Sequence, residues 1–329
     1  MEEKISGKQV KTGKAFEYAF AYQYYQFLLS KGVNVKLVDN DPLHTAKGFF
    51  DEFPKEEQKR YEMSAYQTIE TMIKLEPGLI LQRSVKDCLS IMLNDAQAGQ
   101  MGDVRDIVMQ RITPSWEMGF SAKNNHEAVK HSRLSHTNDF GEKWLGIPCS
   151  QTYWDDIKPI FDYIGEMRGL GYTWKSLGKD KVSRVYVPLL DAFKKELLFM
   201  YQNDKTVPER LVRYLVGNHP FYKIIKDDSH NLVVVKAFNI AGGFNLSVGG
   251  QKPRYRVPKL PLPTRIVEFD YKRDKIGEKD TLDMILDCGW EIAFRIHSAD
   301  NPMPKSLKFD IQLLGNPPIL FTQHLFQDE

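Results

Sequence analysis

The sequence has only three cysteines, Cys88, Cys149 and Cys288, and they lie far apart in 329 residues. Their number and spacing match neither a set of paired disulfides nor the closely spaced cysteines of a zinc site. The chain also lacks an apolar run of transmembrane length, and its charged opening, MEEKISGKQVKTGK, lacks the apolar segment of a signal peptide. We therefore expect reduced thiols in a soluble, cytoplasmic protein.

An excess of charge of one sign is missing too, since 45 Lys and Arg face 43 Asp and Glu and the formal net charge is +2. This balance predicts no partner, so any nucleic-acid surface has to be a local concentration of basic residues. Apolar residues make up 42% of the chain, with 19 Phe, 15 Tyr and 5 Trp. That composition excludes a disordered or collagen-like chain and supports about two average domains.

The pattern of apolar residues predicts an α/β (α+β) fold with helices and strands mixed in the first two thirds and mainly strands in the last third. Apolar residues at three- and four-residue steps predict an opening helix that stops near Gly32. Further helices are predicted near residues 55–75, 85–95, 126–135, 155–167, 188–201 and 208–216. Alternating residues at 290–297 and 307–313 predict a hairpin with one buried face. We place a boundary near residue 228, between domains 1–228 and 229–329.

Two short segments, 105–111 and 116–123, predict strands joined by a Thr-Pro-Ser turn. If they pair as a hairpin, Asp106 at the start of the first strand meets Lys123 at the end of the second. Carboxylates hold Mg²⁺, which activates water for phosphodiester hydrolysis, and an ammonium group can orient that water and offset negative charge. The pair therefore suits metal-assisted cleavage of a phosphodiester.

These residues resemble the PD-(D/E)XK nuclease core, a mixed central sheet flanked by helices, in which an Asp opens one strand, an acid-x-Lys ends the next and a helix carries a Glu. More specifically, the chain resembles type II restriction endonucleases of the HaeIII type. Four stretches carry the resemblance: KTGKAFEYA, GDVRDIVM, WEMGFSAKNNHEAVKHSRLSHTNDFGEKW and WEIAFRIHSADNPMPKSLKFD. In this resemblance Asp106 and Lys123 are catalytic residues and Glu17 is the helix glutamate.

The resemblance implies a Mg²⁺-dependent enzyme of a bacterial or archaeal cell with a β-rich C-terminal region for DNA recognition. It also implies cleavage of double-stranded DNA within the palindrome GGCC, with 5′-phosphate ends. A homodimer would suit the palindrome, and a DNA methyltransferase of the same restriction-modification system would be its functional partner.

One position departs from the nuclease pattern, because Ser121 stands two residues before Lys123, where the pattern has an acid. The second metal ligand must then come from elsewhere. Glu17 is our preferred residue and Glu70 is a second candidate. Glu117 shares a strand face with Ser121 and is also a candidate catalytic residue and metal ligand. Four residues along a strand span about 13 Å, so a bulge, the hairpin twist or the length of its side chain would have to close that gap. Asp103 competes with Asp106, although a turn or cap suits it better.

Basic and polar residues follow the predicted site and recur in a proline-rich segment, where residues 252–275 include eight basic and three acidic side chains. Such residues can hold phosphates or read base edges. On the C-terminal hairpin, Arg295 and His297 are equally compatible with base reading and with a buried pairing to Asp310. The candidate DNA-binding residues are Asn124, Asn125, His126, Lys130, Arg133, Arg254, Arg256, Lys259, Arg295 and His297.

Other functions remain open at this point. Pro148-Cys149 resembles the nucleophile dipeptide of cytosine methyltransferases, but no glycine-rich cofactor loop follows an early strand, which favours a structural cysteine. Ser121 would suit a sequence-specific DNA-binding protein without catalysis. A repair or junction-resolving nuclease would share the core motif.

Overall fold

A computed structural model describes residues 2–81, 87–95, 103–113, 115–124, 130–272, 280–297 and 303–326. Its helices are α1 (Glu2–Ser30), α2 (Asp41–Asp51), α3 (Lys55–Leu75), α4 (Phe140–Leu145), α5 (Gln151–Gly169), α6 (Val187–Asn203) and α7 (Val207–Val216). Its strands are β1 (Val35–Leu37), β2 (Leu89–Leu93), β3 (Ile107–Arg111), β4 (Trp116–Asn124), β5 (Lys130–Leu134), β6 (Phe221–Asp227), β7 (Leu232–Phe238), β8 (Ile266–Tyr271), β9 (Thr281–Leu286), β10 (Glu291–His297), β11 (Leu307–Gly315) and β12 (Thr322–Phe326). None of these helices is long and apolar enough to cross a membrane.

The chain forms two compact units. The first contains Met1–Glu127, Gly217–Leu260 and Ile319–Glu329, and the second contains Ala128–Val216 and Pro261–Pro318. This division differs from the single boundary predicted near residue 228, because the chain enters the second unit twice. Strand β5, from the middle of the chain, pairs with β11, which lies near the C-terminal end of the chain. No local sequence pattern indicates that pairing.

The first unit is built on a mixed seven-stranded sheet in the order β1-β2-β3-β4-β6-β7-β12. The pairs β1–β2 and β4–β6 are parallel, and the other neighbours are antiparallel. The long helix α1 packs on the sheet through aromatic rings, with Phe20 and Phe120 centroids 4.8 Å apart. A mixed central sheet flanked by helices was predicted, and it is confirmed.

The second unit contains an antiparallel sheet in the order β5-β11-β10-β9-β8 and the helices α4 to α7. Phe193 of α6 lies at the centre of its core, 5.1 Å from Phe294 of β10 and 5.0 Å from Phe309 of β11. The predicted hairpin of β10 and β11 is confirmed, since Ile292, Phe294 and Ile296 are buried while Arg295 is exposed.

Three local predictions are wrong. The segment predicted as a helix at 85–95 contains β2, which lies between β1 and β3 and is buried on both faces, so its apolar residues do not show a strand's alternation. The predicted helix at 126–135 overlaps β5, while residues 125–129 lie outside the described residues. The predicted loop HTNDFGEKWLGIP contains the short helix α4, which Asp139 caps by accepting from the Glu142 amide. Strand pairing determined the structure of the first two segments, and a helix cap determined that of the third.

Candidate active site

The hairpin of β3 and β4 places Asp106 beside the end of β4. Ile107 pairs with Phe120, and the Asp106 amide donates to the Phe120 carbonyl at 2.7 Å. In an antiparallel ladder this register sets Asp106 opposite Ser121. The carboxylate therefore faces the last residues of β4.

Three donors from β4 converge on one oxygen of the Asp106 carboxylate. Asp106 Oδ2 accepts from Ser121 Oγ at 3.1 Å, from the Ala122 amide at 2.9 Å and from Lys123 Nζ at 3.0 Å. The structure thus brings together Asp106, Ser121 and Lys123. Ser121 is a hydrogen-bond donor to the carboxylate here, in the position where the nuclease pattern has an acid.

The Lys123 ammonium is stabilised in its charged form. Burial by itself lowers the pKa of Lys123, but the charges of Asp106 and Glu17 and the hydrogen bond to Asp106 outweigh it, so that this pKa is raised. A lysine held in this way stays protonated at neutral pH. It can orient water and offset negative charge, but it is a poor proton acceptor.

Glu17 reaches the same site from helix α1. Its side chain is buried because Phe16 and Phe20 on the same helix are fully buried in the core, and Lys14 Nζ donates to it at 2.7 Å. Burial, and next the charge of Asp106, raise the pKa of Glu17 to about 7, while Lys14 and Lys123 lower it. This mutual electrostatic interaction means that the two carboxylates occupy one neighbourhood.

The donor set fits a divalent metal ion. Within the described residues no group of three or more His, Cys, Asp or Glu side chains could hold a metal. Mg²⁺, however, keeps several waters and is usually bound by one or two carboxylates together with substrate phosphate oxygens. Asp106 and Glu17 supply such a pair. Burial and, next, repulsion by Asp106 raise the pKa of Glu17, and a cation between the two carboxylates would relieve that repulsion.

Glu117 lies elsewhere on β4 and is engaged by another residue. Its carboxylate forms an ion pair with Arg105, whose guanidinium also binds Asp103 at 2.7 Å. The Arg105 side chain crosses β4 over Gly119, where an added Cβ would lie 2.0 Å from Arg105 Cδ. The predicted turn role of Asp103 agrees with its bonds to Arg105, which include the backbone amide at 3.1 Å.

Glu70, the second candidate ligand, is an exposed residue of α3. It pairs with Lys74 at 2.6 Å, and it lines a cavity of about 250 Å³ together with Lys252 and Arg254. The described contacts of Glu70 are therefore with basic side chains, and none of them is with Asp106.

The candidate DNA-binding residues are scattered over both units. Asn124 ends β4, and its Oδ1 is buried without a hydrogen-bond partner among the described residues. Arg133 is exposed, and its Nε donates to Ser306 Oγ at 2.7 Å. Arg295 is also exposed and lies 3.5 Å from Asp280, and in the register of β10 and β11 it is opposite Asp310.

Not all of these residues have described side chains. Lys130 belongs to β5 and His297 to β10, but only their backbone is described, and Asn125 and His126 lie outside the described residues. Arg254, Arg256 and Lys259 are exposed in the proline-rich segment.

A buried cluster that the sequence analysis missed holds the proline-rich segment in place. Asn245 accepts from the Val257 amide at 2.8 Å and donates to the Tyr255 carbonyl at 3.0 Å. Its own amide donates to the buried Glu76 at 2.7 Å, and Tyr222 donates to Glu76 at the same distance. An Asn in a glycine-rich turn was the sequence signal that could have indicated this cluster. Asn245 adopts the left-handed backbone conformation, with a φ of 58°, which Asn tolerates better than most residues.

An acid and a lysine in contact at the ends of two adjacent strands of a mixed sheet, with a second carboxylate on a neighbouring helix, are the arrangement expected of a nuclease site. The sequence profile of the HaeIII restriction endonuclease family matches residues 13–317. The chain is 36% identical over 314 residues to the type II restriction enzyme HaeIII of Haemophilus aegyptius. The aligned region covers 95% of this chain and 96% of that enzyme.

The chain therefore belongs to the HaeIII restriction endonuclease family. This membership confirms the prediction of a type II, site-specific deoxyribonuclease, whose substrate is DNA, and enzymes of this type generally use a divalent metal ion. No solved structure matches the chain.

Proposed function

We propose that this protein cleaves double-stranded DNA at a short palindrome with Mg²⁺ as its metal ion, and that Asp106, Lys123 and Glu17 perform the chemistry. The contact between Asp106 and Lys123 carries the proposal, because it puts a metal-binding group and a charge-stabilising group at one point. Glu17 supports it as the second carboxylate. Ser121 acts as a donor that orients Asp106.

The chemical roles follow from these groups. Asp106 and Glu17 would hold Mg²⁺, which when bound would offset negative charge on the phosphate and favour deprotonation of water. Lys123, protonated, orients the attacking water oxygen and stabilises charge that develops on the phosphate. The attacking water gives up a proton to solvent and its oxygen forms a bond to phosphorus, while the bond from phosphorus to O3′ breaks and O3′ takes up a proton from solvent. The products are a 5′-phosphate and a 3′-hydroxyl.

Glu117 is a weaker candidate for the metal. Its ion pair with Arg105 supports a structural role, in which Glu117 and Asp103 hold the arginine against β4. Glu70 is weaker still, since it is exposed and paired with Lys74.

The recognition site is proposed to be GGCC, in keeping with the name of the related HaeIII enzyme. A palindrome suits a homodimer or two successive visits by one protein. The enzyme would act in the cytoplasm, beside a DNA methyltransferase that protects the same sequence. Contacts to phosphates or bases are proposed for Asn124, Asn125, His126, Lys130, Arg133, Arg254, Arg256, Lys259, Arg295 and His297.

Plasmid DNA incubated with the protein and Mg²⁺, followed by sequencing of the fragment ends, tests this function. We expect discrete fragments with GGCC-derived ends and 5′-phosphates. Asp106→Asn and Lys123→Met should each lower the cleavage rate by at least about 100-fold, while both variants still bind a GGCC duplex in a gel-shift assay. Asp51→Asn, which removes an exposed carboxylate on α2, should cleave normally.

The alternatives predict other outcomes. A non-catalytic DNA-binding protein would bind the duplex but leave the plasmid intact, and a repair nuclease would cut junctions or damaged sites without discrete ends. Cys149 gives no support to a methyltransferase, because burial and the neighbouring Asp139 raise the pKa of its thiol and so disfavour the nucleophilic thiolate.

A further inference from the structure

The main chain of Asp106 is hydrogen-bonded on both sides, although the residue lies one position before β3 begins. The Asp106 amide donates to the Phe120 carbonyl of β4 at 2.7 Å, and the Asp106 carbonyl accepts from the Asn94 amide at 2.9 Å. Asn94 follows directly after β2, which pairs with β3 on the side away from β4. The backbone of Asp106 is therefore held between two neighbouring segments of the sheet.

The side chain of Asn94 adds a bond to the preceding peptide. Its Nδ2 donates to the Arg105 carbonyl at 2.9 Å. Asn94 thus binds the two carbonyls that precede and follow the α-carbon of Asp106, one through its side chain and one through its own amide. An alanine at position 94 would keep the backbone bond and lose only the side-chain bond, because the amide hydrogens of Nδ2 would be gone.

The side chain of Arg105 holds the same peptide from the side of β4. Its Nε and Nη2 each donate to Asp103 at 2.7 Å, and its guanidinium forms an ion pair with Glu117. Its Cδ occupies the space above Gly119 where a larger residue would place a Cβ. Arg105 is buried, with 8% of its surface exposed, and two acids match its single charge. These contacts suit it to fixing the residue before Asp106, and not to attracting a phosphate.

The bonds around Asp106 matter for the chemistry because its carboxylate is needed in one orientation. One carboxylate oxygen accepts from Ser121, Ala122 and Lys123. A rotation of the Asp106 backbone would move the carboxylate away from these donors and from Glu17, the other proposed metal ligand. A misplacement of about 1 Å in an active site can slow a reaction by about 100-fold.

We propose that Asn94 and Arg105 are positioning residues of the active site, which hold the main chain beside Asp106 and so orient its carboxylate for metal binding and for contact with Lys123. The inference rests on the proposed function of the Asp106–Lys123 site and extends it to two residues outside the nuclease pattern. Neither residue needs to touch DNA or metal. Their loss should therefore slow cleavage more than it weakens DNA binding.

Steady-state cleavage of a GGCC duplex with saturating Mg²⁺ measures the first effect. Asn94→Ala, which changes no charge, should lower kcat about 10- to 100-fold and leave KM for DNA within about twofold. Arg105→Met should lower kcat to a similar extent. Arg105→Lys keeps the charge but loses the forked donor geometry, so its kcat should lie between those of the wild type and Arg105→Met. This intermediate variant carries the arginine test if Arg105→Met does not fold.

Hydrogen exchange of the Ala122 amide reports the position of the Asp106 carboxylate without any cleavage, because this amide donates to Asp106 Oδ2 at 2.9 Å. In the metal-free protein it should exchange about tenfold faster in Asn94→Ala than in the wild type. The Leu89 amide, at the other end of β2, donates to the Asn34 carbonyl at 2.8 Å. Its exchange rate should stay unchanged, which distinguishes a local shift from general unfolding.

Asn40→Ala is the matched control. Asn40 also donates from its side-chain Nδ2 to a main-chain carbonyl, that of Leu93, at 3.0 Å, directly before Asn94. It caps α2 by accepting from the Leu43 amide, so its loss should lower the Tm at least as much as the loss of Asn94 does. We expect kcat and the exchange of the Ala122 amide to remain those of the wild type.

The outcomes separate this inference from the proposed function, which the wild-type protein tests by cleaving plasmid DNA with Mg²⁺. If the wild type cleaves but Asn94→Ala and Arg105→Met keep its kcat and its Ala122 exchange rate, only the positioning role is refuted. That role is also refuted if Asn40→Ala slows cleavage and speeds exchange as much as Asn94→Ala, since lost stability would then explain both effects. If the wild type cuts nothing but the Ala122 amide exchanges faster in Asn94→Ala and not in Asn40→Ala, the positioning role stands and the proposed cleavage is refuted.

Discussion

Three neighbouring ionisable groups at the candidate active site influence one another's protonation. Asp106 accepts hydrogen bonds from Ser121 and Lys123, Lys123 is kept protonated by two acids, and Glu17 is kept partly protonated by burial and by Asp106. Without metal, Glu17 therefore holds a proton at a pH where an exposed glutamate is ionised. A divalent cation bound at this site would compete with this proton for the same carboxylate.

Glu17 should make both metal affinity and stability depend on pH near 7. Its folded pKa of about 7 lies above the ordinary value of 4.5, so its proton stabilises the metal-free protein fully below pH 4.5, and this stabilisation is lost as the pH rises through 7. Metal binding needs the ionised form, so affinity for Mg²⁺ should rise about tenfold from pH 6 to pH 8. Calorimetric titration and thermal unfolding at each pH measure the two effects.

Glu76 provides the control for this prediction. Burial raises the pKa of Glu76 to about 7 as well, but its partners are Tyr222, Asn245 and Trp116. Glu76→Gln should change the pH dependence of stability and leave that of metal affinity unchanged, whereas Glu17→Gln should flatten both. Equal metal affinity of wild type and Glu17→Gln at pH 8 would contradict the ligand role of Glu17.

At the scale of elements, the hairpin of β3 and β4 is what brings the acid and the lysine together. The hairpin is anchored at its far end by a buried ion pair in which Arg111 on β3 donates to Asp87 at 2.7 Å. Arg111 also donates to the Gly78 carbonyl at 2.8 Å, in the turn after α3. Along β4, Gly119 leaves room for Arg105, so the residue before Asp106 is fixed against the same strand.

Gly119→Ala should destabilise the protein by about 1–3 kcal/mol, because the new methyl group would overlap the middle of the Arg105 side chain. Arg105 cannot move freely, since Asp103 and Glu117 both hold it. Urea unfolding measures the change. Gly165→Ala on α5, where an added Cβ meets nothing within 4 Å, should be neutral or stabilise by up to about 1 kcal/mol. Equal unfolding free energies for the two variants would contradict the packing argument.

At the scale of the whole molecule, a net charge of +2 gives little general attraction for DNA. Binding must then depend on where the basic residues lie. The proline-rich segment is one such place, because Asn245 and the buried Glu76 hold its backbone while Arg254 and Arg256 stay exposed.

Replacing Arg254 and Arg256 together by Gln should lower the salt slope of DNA binding by about two. Replacing Lys47 and Lys158 by Gln changes the net charge equally, but both are exposed and paired with helix neighbours. That control should leave the slope unchanged, as measured by fluorescence anisotropy with a labelled duplex. The same loss of slope in both double variants would mean that net charge, and not its position, governs binding.

The sequence by itself determined the elements that local patterns specify. The helix α3, the hairpin of β3 and β4 and the hairpin of β10 and β11 follow from periodicity and turns, and the hairpin geometry alone was enough to predict that Asp106 meets Lys123. Segment 85–95 failed because a strand buried on both faces loses its alternation, and 126–135 failed because β5 pairs with a strand about 175 residues away.

Only the tertiary structure decided which distant groups share the site. Because α1 packs on β4, the charge of Asp106 acts on Glu17. Glu117, in contrast, forms an ion pair with Arg105. The pairing of β4 with β6 set Lys223 beside Ser121 across 102 positions of the chain. The local alternation of residues indicates which face of its own strand a side chain occupies. Which side chains are its neighbours on that face depends on the pairing of strands that are far apart in the sequence.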